Sequence, residues 1–233
     1  MVDVAPSKLF LIATPIGNLS DLSHRAIEVL NQCDLIACED TRVTAKLLSN
    51  FSIRKKLLSY REENERKQTE VIAEQISQGA NVALLSDAGY PGISDPGFRL
   101  VRECHRTGIK VIPIPGPNAA LTALSASGLP THQFLFLGFL PKKTTGITKI
   151  FEKWQEFEGS IIFFESRHKI VKTLALMEEF FEADRHICIA RELTKLHESI
   201  ISGPISEAIL RFNQESKKGE FTLVLAPKGY SIS

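Results

Sequence analysis

Runs of apolar residues alternate along the first half of the chain with stretches whose apolar residues recur at helical spacing. The apolar runs predict buried strands, because a strand covered on both faces needs no polar alternation. Leu22, Ala26, Val29 and Leu30 show the three- to four-residue spacing of an amphipathic helix. Strands are predicted in KLFLIATP, DLIACED, KKLLSY, NVALLSD and KVIPIPG, with helices between them. This order predicts a mainly parallel sheet covered by helices.

The alternation restarts after LPTHQFLFLGFLPKKTTG, a segment rich in turn residues that is the best candidate for a domain junction. Beyond it, helices are predicted in ITKIFEKWQEFEG, RHKIVKTLALMEEFF and SEAILRFNQES, and strands in SIIFFES, HICIAREL and GEFTLVLAP. A turn is predicted at Ile201–Pro204 from its Ser-Gly-Pro chemistry. We therefore predict two α/β lobes, residues 1–120 and 121–233, with the junction near 116–130 or in the linker that follows.

Charge and composition limit how the protein can contact RNA and in which compartment we expect it. The 233 residues carry a formal net charge of +1, so any RNA contact has to use a local basic patch. Three basic clusters are candidates: Arg54–Lys56 with Arg61, Arg66 and Lys67; Lys142 and Lys143; and Arg167–Lys169. The four cysteines form no CxxC pair and are expected to be reduced, buried thiols. The amino-terminal apolar run is too short to span a bilayer and lacks a basic start, so we expect a cytoplasmic protein.

Four loops that follow predicted strands share glycine, proline and polar residues, whereas a simple turn needs one or two such residues. They are residues 13–19, 37–42, 86–97 and 115–123. If the strands are parallel, all four loops gather at one edge of the sheet, where open α/β sheets bind ligands. Neither G-x-G-x-x-G nor G-x-x-x-x-G-K-[ST] occurs, which disfavours the usual dinucleotide and triphosphate sites.

Eight motifs occur in an order that identifies a resemblance covering about residues 9–225. They are ATPIGNL, LIACEDTR, SDAGYPGISDPG, PGPNAALTALSASGLP, GFLP, FFES, ARELTK and GEFTLVL. Together they closely resemble the ribosomal RNA small-subunit methyltransferase I family of the tetrapyrrole-methylase superfamily. The resemblance implies a two-lobed class III S-adenosylmethionine (SAM) methyltransferase fold, with a mainly parallel sheet in the first lobe and a mixed sheet in the second. It also implies a homodimer with SAM between the lobes and no metal.

The resemblance further implies methyl transfer to the ribose 2′-oxygen of a cytidine in the decoding region of the small-subunit RNA. By similarity, SDAGYPGISDPG is the main SAM loop, and Asp87 suits the methionine ammonium or a ribose hydroxyl. The expected SAM-binding residues are Pro15, Asp87, Ala88, Gly89, Tyr90, Ile93, Ser94, Asn118, Ala119, Phe164, Ser166, Ala190, Phe221 and Thr222. Asp95 is expected instead to cap a helix that begins at Pro96.

A ribose hydroxyl is a poor nucleophile, so a general base or a lysine that favours the alkoxide would help. The expected catalytic residues are Glu39, Arg42, Lys195 and Glu198. Lys195 and Glu198 would share one face of a helix, and Arg42 and Arg191 suit phosphate contacts. Further charged candidates are Asp40, Glu165 and Glu192.

Two departures from the family pattern keep alternatives open. The chain reads YREENE where family members have an HxHNE-like stretch, and it ends soon after its last strand, where they commonly continue with a basic segment. The principal alternative is therefore a SAM-dependent methylase of the same superfamily that acts on a tetrapyrrole-like small molecule. A SAM-binding module without catalysis ranks third. Whether the substrate is naked RNA or an assembled small subunit stays open.

Overall fold

The computed structural model describes residues 7–231, and it divides between Asn118 and Ala119 into two compact units. The first six residues of the amino-terminal segment and the last two of the carboxyl-terminal segment lie outside the described residues. None of the helices in residues 7–231 has the length and apolar character to cross a membrane. All four cysteines are free and buried, and burial raises the pKa of Cys33 and Cys188 to about 12.

The first unit is a five-stranded parallel sheet in the order β3-β2-β4-β1-β5. Its strands are β1 (Lys8–Ile12), β2 (Leu35–Cys38), β3 (Lys56–Ser59), β4 (Val82–Leu85) and β5 (Lys110–Ile114). Its helices are α1 (His24–Gln32), α2 (Thr41–Asn50), α3 (Glu65–Ser77) and α4 (Phe98–Arg106). The predicted parallel sheet covered by helices is confirmed.

Both faces of this sheet are buried, as its uninterrupted apolar strands predict. All four residues of β4 are buried, and they alternate between two cores. Ala83 and Leu85 pack in the core that includes α1 and α2 residues, whereas Val82 and Leu84 pack in the core that includes α3 and α4 residues. This two-sided burial explains why the strand shows no polar alternation.

The strand order places a topological switch point at the carboxyl ends of β4 and β1. The chain leaves β1 towards β2 on one side of the sheet, and it leaves β4 towards β5 on the other side. The connections of these two neighbouring strands therefore diverge. Such a topological switch point is where open α/β sheets bind ligands.

The second unit is a mixed five-stranded sheet in the order β6-β7-β10-β8-β9, in which only β6 and β7 pair in parallel. Its strands are β6 (Phe134–Phe139), β7 (Ser160–Ser166), β8 (His186–Arg191), β9 (Ser199–Pro204) and β10 (Glu220–Leu225). Its helices are α5 (Ala119–Ala126), α6 (Thr144–Trp154), α7 (Ile170–Phe180) and α8 (Ile205–Phe212). The predicted mixed sheet is confirmed.

One local prediction in this unit is wrong. The turn predicted at Ile201–Pro204 lies within β9, an edge strand that pairs with β8, and the proline ends the strand, where no further ladder bond is needed. The candidate junction segment contains β6, which pairs with β7 and belongs to the second sheet.

The side chains of the second sheet separate cleanly between its two faces. Phe163 and Leu223 belong to the large core that also contains residues of α6, α7 and α8. Residues one step along each strand point to the other face. On that face, Thr222 is paired with Phe164 on one side and with Ala190 on the other, and Phe164 is paired with Phe139. These four residues form a row across the sheet.

Candidate active site

The loops after β1 and β4 are bonded to each other at the switch point of the first unit. Thr14 N donates to Gly89 O at 2.9 Å, and Gly89 N donates to Thr14 O at 3.0 Å. The Ser86 hydroxyl also donates to Gly89 O, at 3.0 Å. Gly89 is buried with a φ of +82°, a conformation that favours glycine. These bonds fix the start of the 86–97 loop.

Tyr90 connects the same loop to the loop after β5. Gly116 N donates to the Tyr90 hydroxyl oxygen at 3.0 Å. The backbone at Gly116 passes so close to the β1 loop that a Cβ atom would lie 3.1 Å from Ala13 Cβ. The prediction that these strand-end loops gather at one edge is confirmed, and hydrogen bonds hold them there.

Acidic side chains from β2 and β4 meet at this edge. Asp40 N donates to Asp87 Oδ1 at 3.1 Å, and the Glu39 carboxylate accepts a bond from the backbone of Asp87. Asp95 is near enough to Glu39 and Asp87 to feel both charges. Within residues 7–231, the ion pairs of the protein involve none of Glu39, Asp87 and Asp95. We define these three as the acidic edge.

The acidic edge holds more negative charge than the protein neutralises. Burial, reinforced by the charges of Glu39 and Asp87, raises the pKa of Asp95 to about 6, although a bond with the Ser86 side chain acts in the opposite direction. Burial and then the charge of Asp87 also raise the pKa of Glu39. A cationic ligand group would relieve this repulsion, since an opposite charge favours the ionised carboxylates.

The prediction that Asp95 caps the next helix is wrong. Helix α4 begins at Phe98, its N-cap is Gly97, and the donors at its start are bound by Glu65 Oε1, which accepts from Gly97 N at 3.2 Å and from Arg99 N at 3.4 Å. Gly97 has a φ of +152°, and a Cβ atom there would lie 2.8 Å from Gly92 N. The backbone therefore closes a tight turn before the helix begins, which leaves the Asp95 carboxyl group at the acidic edge.

Glu65 anchors the far end of the 86–97 loop and was not identified in the sequence. Its side chain lies in the first turn of α3, and Oε1 accepts bonds from Gly97 N at 3.2 Å and from the Tyr60 hydroxyl at 3.2 Å. Arg99 adds an ion pair to Oε2 at 3.2 Å. The REENERK stretch reads as a solvated helix face, but Glu65 is only 9% exposed. The separation of five residues between Tyr60 and Glu65 is the only sequence feature that points to this contact, and many unrelated pairs share it.

Arg42 is engaged by its neighbour Asp40. Its Nε and NH2 groups bind the two Asp40 carboxylate oxygens at 3.0 and 2.6 Å, and Asp40 also caps α2 by accepting from Arg42 N at 2.8 Å. Hydrogen bonds from Arg42 hold the pKa of Asp40 well below its usual range. The Arg42 side chain is 88% exposed, so it stays open to a phosphate.

In the second unit, Lys195 and Glu198 lie in a series of turns and not on a helix, because Glu192 and Thr194 take positive φ values. Lys195 Nζ binds Glu192 Oε1 at 2.9 Å and Glu220 Oε2 at 2.6 Å. Burial alone would lower the pKa of Lys195, but the bonds to Glu220 and Glu192 outweigh it and raise this pKa. Lys195 therefore keeps its proton. Glu198 Oε2 accepts from Thr194 N at 2.5 Å and so braces the turn.

The side chains of two further charged candidates, Arg191 and Glu165, form hydrogen bonds within the second unit. The guanidinium of Arg191 is buried and donates to Lys218 O at 2.8 Å and His197 O at 2.9 Å, so it is not offered to a phosphate as predicted. Glu165 is buried, and it accepts bonds from Ser166 N at 2.7 Å and from the Thr173 hydroxyl at 2.6 Å. These contacts position local backbone and α7.

The predicted purine-binding residues of the second unit fall on both faces of its sheet. Phe164, Ala190 and Thr222 lie in one row on one face. The side chain of Phe221 lies on the opposite face, 2% exposed, with its ring 5.6 Å from that of Phe212 in the core. The Phe221 side chain therefore belongs to the core, because adjacent strand residues point to opposite faces. Ser166 ends β7 and is partly exposed.

The remaining predicted SAM residues lie on the strand-end loops of the first unit and at the start of α5. Ala88, Ile93 and Ser94 are exposed, and Ser94 takes a φ of +64°. The partly exposed ones are Pro15, Asn118 and Ala119. Across the described part of the chain, no group of three or more histidine, cysteine, aspartate or glutamate side chains could hold a metal ion.

Comparison with known proteins identifies relatives over nearly the whole chain. The family described as Tetrapyrrole (Corrin/Porphyrin) Methylases matches residues 8–209. The relative named Ribosomal RNA small subunit methyltransferase I from Halalkalibacterium halodurans is 45% identical over 96% of this chain and 77% of its own length. The proteins of that name from Escherichia coli O157:H7 and Thermotoga maritima are 41% and 43% identical, over 96% and 95% of this chain and 79% and 99% of their own lengths.

Solved structures support the fold. The uroporphyrin-III-C-methyltransferase of Thermus thermophilus matches with a TM-score of 0.62 and 19% identity, and the methyltransferase CobJ with a TM-score of 0.69 and 17% identity. The first match covers 94% of both chains and the second covers 97% of both. At these identities the likeness concerns the fold alone.

Proposed function

Because this chain belongs to the tetrapyrrole methylase family, we propose that it is a SAM-dependent methyltransferase that acts on the RNA of the small ribosomal subunit. The observation that carries the proposal is the identity, over most of the chain, to relatives named ribosomal RNA small subunit methyltransferase I. The motif resemblance supports a finer assignment, in which the acceptor is the ribose 2′-oxygen of a cytidine. It also supports a cytoplasmic homodimer.

The acidic edge suits the cationic end of SAM. SAM carries an ammonium and a sulfonium, and Glu39, Asp87 and Asp95 form an uncompensated group of carboxylates at a switch point. The 86–97 loop is held by Thr14, Glu65 and Tyr90 contacts, so the carboxylates sit on a fixed backbone. When bound, SAM supplies an electrophilic methyl group, and the protein aligns it and manages one proton.

Glu39 is the residue we propose as the proton acceptor. Its pKa is raised by burial and by the charge of Asp87, which makes it a better base than an exposed glutamate. Lys195 is protonated and is fixed by two carboxylates, so its proposed role is to stabilise negative charge on the substrate. Asp87 is the proposed ligand of the SAM ammonium. For the second unit, we propose that Phe164, Ala190 and Thr222 contact the purine.

The test is methyl transfer from radiolabelled SAM, with assembled small ribosomal subunits and tetrapyrrole precursors offered in parallel and the labelled nucleotide mapped. We expect label on a cytidine 2′-oxygen. Label on the precursor alone would overturn the RNA assignment and leave the fold and the SAM site intact. If the protein bound SAM but labelled neither substrate, both assignments as a methyltransferase, for RNA and for tetrapyrrole precursors, would be overturned.

Variants test the proposed roles. We expect Glu39→Gln to lose at least about 100-fold in kcat, the scale of general-base catalysis. Lys195→Met should also lose turnover. Glu62→Gln and Lys149→Met are matched controls at exposed positions of the same charge. Wild-type turnover in Glu39→Gln would remove it from the mechanism.

A further inference from the structure

A bulge in β6 turns Phe139 onto the face of the second sheet that carries Phe136 and Phe164. Phe136 pairs with Ile162 and Phe139 pairs with Phe164, so β6 uses two intervening residues where β7 uses one. Gly138, one of the two, has a φ of +64°. Without the extra residue, Phe139 would point to the face opposite Phe136. With it, the rings of both residues contact Phe164.

The Phe139 ring is held in place yet exposed. Phe164 meets Phe136 and Phe139 in edge-to-face contacts, with ring centroids 5.0 and 5.5 Å apart. Phe139 nevertheless remains 60% exposed, a large value for a phenylalanine whose ring already has a partner. An aromatic ring fixed on one side and free on the other is a stacking platform for a nucleic acid base.

Three exposed cations lie at the same edge of the sheet as Phe139. β6 and β7 run in parallel, so Lys142 and Lys143, which follow β6, and Arg167, which follows β7, lie at the same edge. All three are exposed, and among residues 7–231 they take part in none of the ion pairs. We call Phe139, Lys142, Lys143 and Arg167 the aromatic-basic edge. Two of the three basic clusters recognised in the sequence contribute to it.

Lys169, which belongs to the same basic cluster as Arg167, stabilises the backbone at this edge. Its Nζ donates to Leu140 O at 3.0 Å and pairs with the buried Glu165 at 3.3 Å. A cation held by a buried carboxylate thus fixes the backbone that immediately follows Phe139. The edge is therefore prepared for binding before a ligand arrives, which lowers the entropy cost of association.

We propose that the aromatic-basic edge binds an unpaired stretch of the substrate RNA, with one base stacked on Phe139 and the neighbouring phosphates bound by Lys142, Lys143 and Arg167. The inference rests on the proposed RNA substrate and adds a recognition surface to it. An exposed ring beside unpaired cations matches the chemistry of single-stranded nucleic acid, whose bases stack and whose backbone is anionic. A protein partner gives no comparable reason for three uncompensated cations.

The test compares Phe139→Leu with Phe134→Leu, a matched control at the opposite end of the same strand, where Phe134 is 44% exposed. Binding is measured with a short fluorescent single-stranded RNA and with assembled small subunits, and SAM binding is measured by calorimetry. Loss of one stacked base predicts a roughly 5- to 100-fold weaker RNA affinity for Phe139→Leu. Phe139→Trp should retain RNA binding, and SAM affinity should be unchanged in the control Phe134→Leu.

Salt dependence tests the phosphate contacts separately. Each phosphate contact on a single strand contributes about 0.7 to the slope of log affinity against log salt. Lys142→Gln combined with Lys143→Gln should lower that slope by about 1.4. Lys149→Gln combined with Lys172→Gln removes the same charge from exposed sites on α6 and α7 and should leave the slope unchanged.

Equal RNA affinity in Phe139→Leu and Phe134→Leu would overturn the inference. It would also fail if Phe139→Leu lost assembled subunits but kept naked RNA, because the partner would then be a ribosomal protein. If the wild-type protein bound RNA without methylating it, the proposed function would fall, and the ratio between the two leucine variants would still decide the inference.

Discussion

Replacing Thr173 by valine removes one hydrogen bond from a buried carboxylate while keeping the shape of the side chain. The Thr173 hydroxyl donates to Glu165 Oε2 at 2.6 Å, and neither side chain is exposed to solvent. Ser166 N and Lys169 bind the other oxygen, Oε1. Valine is also β-branched, so the rotamer preference within α7 changes little. The substitution therefore isolates the cost of leaving Oε2 without this donor.

The expected loss is about 2 kcal/mol of unfolding free energy. Hydrogen bonds to charged groups contribute about 1.5–3 kcal/mol, and a buried acceptor that loses its donor is not compensated by water. With a urea m-value of about 2 kcal/mol per molar, the midpoint should fall by about 1 M. Trp154 is the only tryptophan and packs against the core of the second unit, so its fluorescence reports this transition.

Thr148→Val is the matched control, because its hydroxyl donates only to Thr144 O within α6, at 3.2 Å. It should stay within about 0.5 kcal/mol of wild type. Adding Glu165→Met to Thr173→Val should cost less than the sum of the two single changes, since the double variant leaves neither partner unsatisfied. A loss in Thr173→Val equal to that of the control would refute the reasoning about this carboxylate.

Three further predictions concern the first unit. Glu65→Ala should lower the unfolding free energy by about 2–3 kcal/mol and speed hydrogen exchange in the 86–97 loop, because Gly97 N loses its acceptor; Glu62→Ala, at an exposed site, should do neither. The stability of the wild type should fall as the pH rises from about 4 to 6, because the folded-state pKa of Asp95 lies above the unfolded one and the native state binds the extra proton in that range. Asp95→Asn should remove this fall. Urea unfolding followed by circular dichroism should then show that the wild type is less stable than the variant above about pH 6. Gly97→Ala should cost about 1–3 kcal/mol from the close approach to Gly92, whereas Gly108→Ala, with open space around it, should cost about 1 kcal/mol from its φ of +74° alone; equal thermal shifts would contradict this.

The architecture of the first unit could be predicted because its signal is local and strong. A strand such as Val82–Leu85 is apolar at every position, and only burial on both faces accounts for that pattern. The gathering of the loops then follows from parallel strands. The hydrogen bonds between Tyr90 and Gly116, or between Asp87 and Asp40, could not be predicted, because they depend on loop paths that no periodicity encodes.

In two segments of the second unit, tertiary packing overrides the conformation that the local sequence favours. Ser-Gly-Pro at the end of β9 favours a turn locally, but pairing with β8 keeps it extended. Lys195 and Glu198 have helical spacing, yet the backbone at Gly219 passes close to the segment that contains them. A Cβ atom at Gly219 would lie 2.6 Å from Glu192 Cγ. The turn conformation follows from that packing. Phe221 illustrates the converse, since strand alternation alone assigns it to the face opposite Thr222.

The bulge at Gly138 could be suspected but not located from the sequence. A glycine within an apolar strand indicates a bulge or a close backbone approach. Which side chain it redirects depends on the register with β7, and that register is set by the sheet. The aromatic-basic edge was therefore visible as separate pieces, an apolar motif and two basic clusters, whose adjacency came only from the parallel pairing of β6 and β7.

The interior position of β1 in its sheet has a consequence for how the protein is made. β1 is synthesised before its partners β4 and β5, and the nearer of them begins about 70 residues later. At about 5–20 residues per second, this apolar strand waits several seconds for its neighbours while the ribosome continues. During that interval it is a template for wrong pairing, so the nascent chain of this proposed ribosome-modifying enzyme is itself a natural client for chaperones at the ribosome.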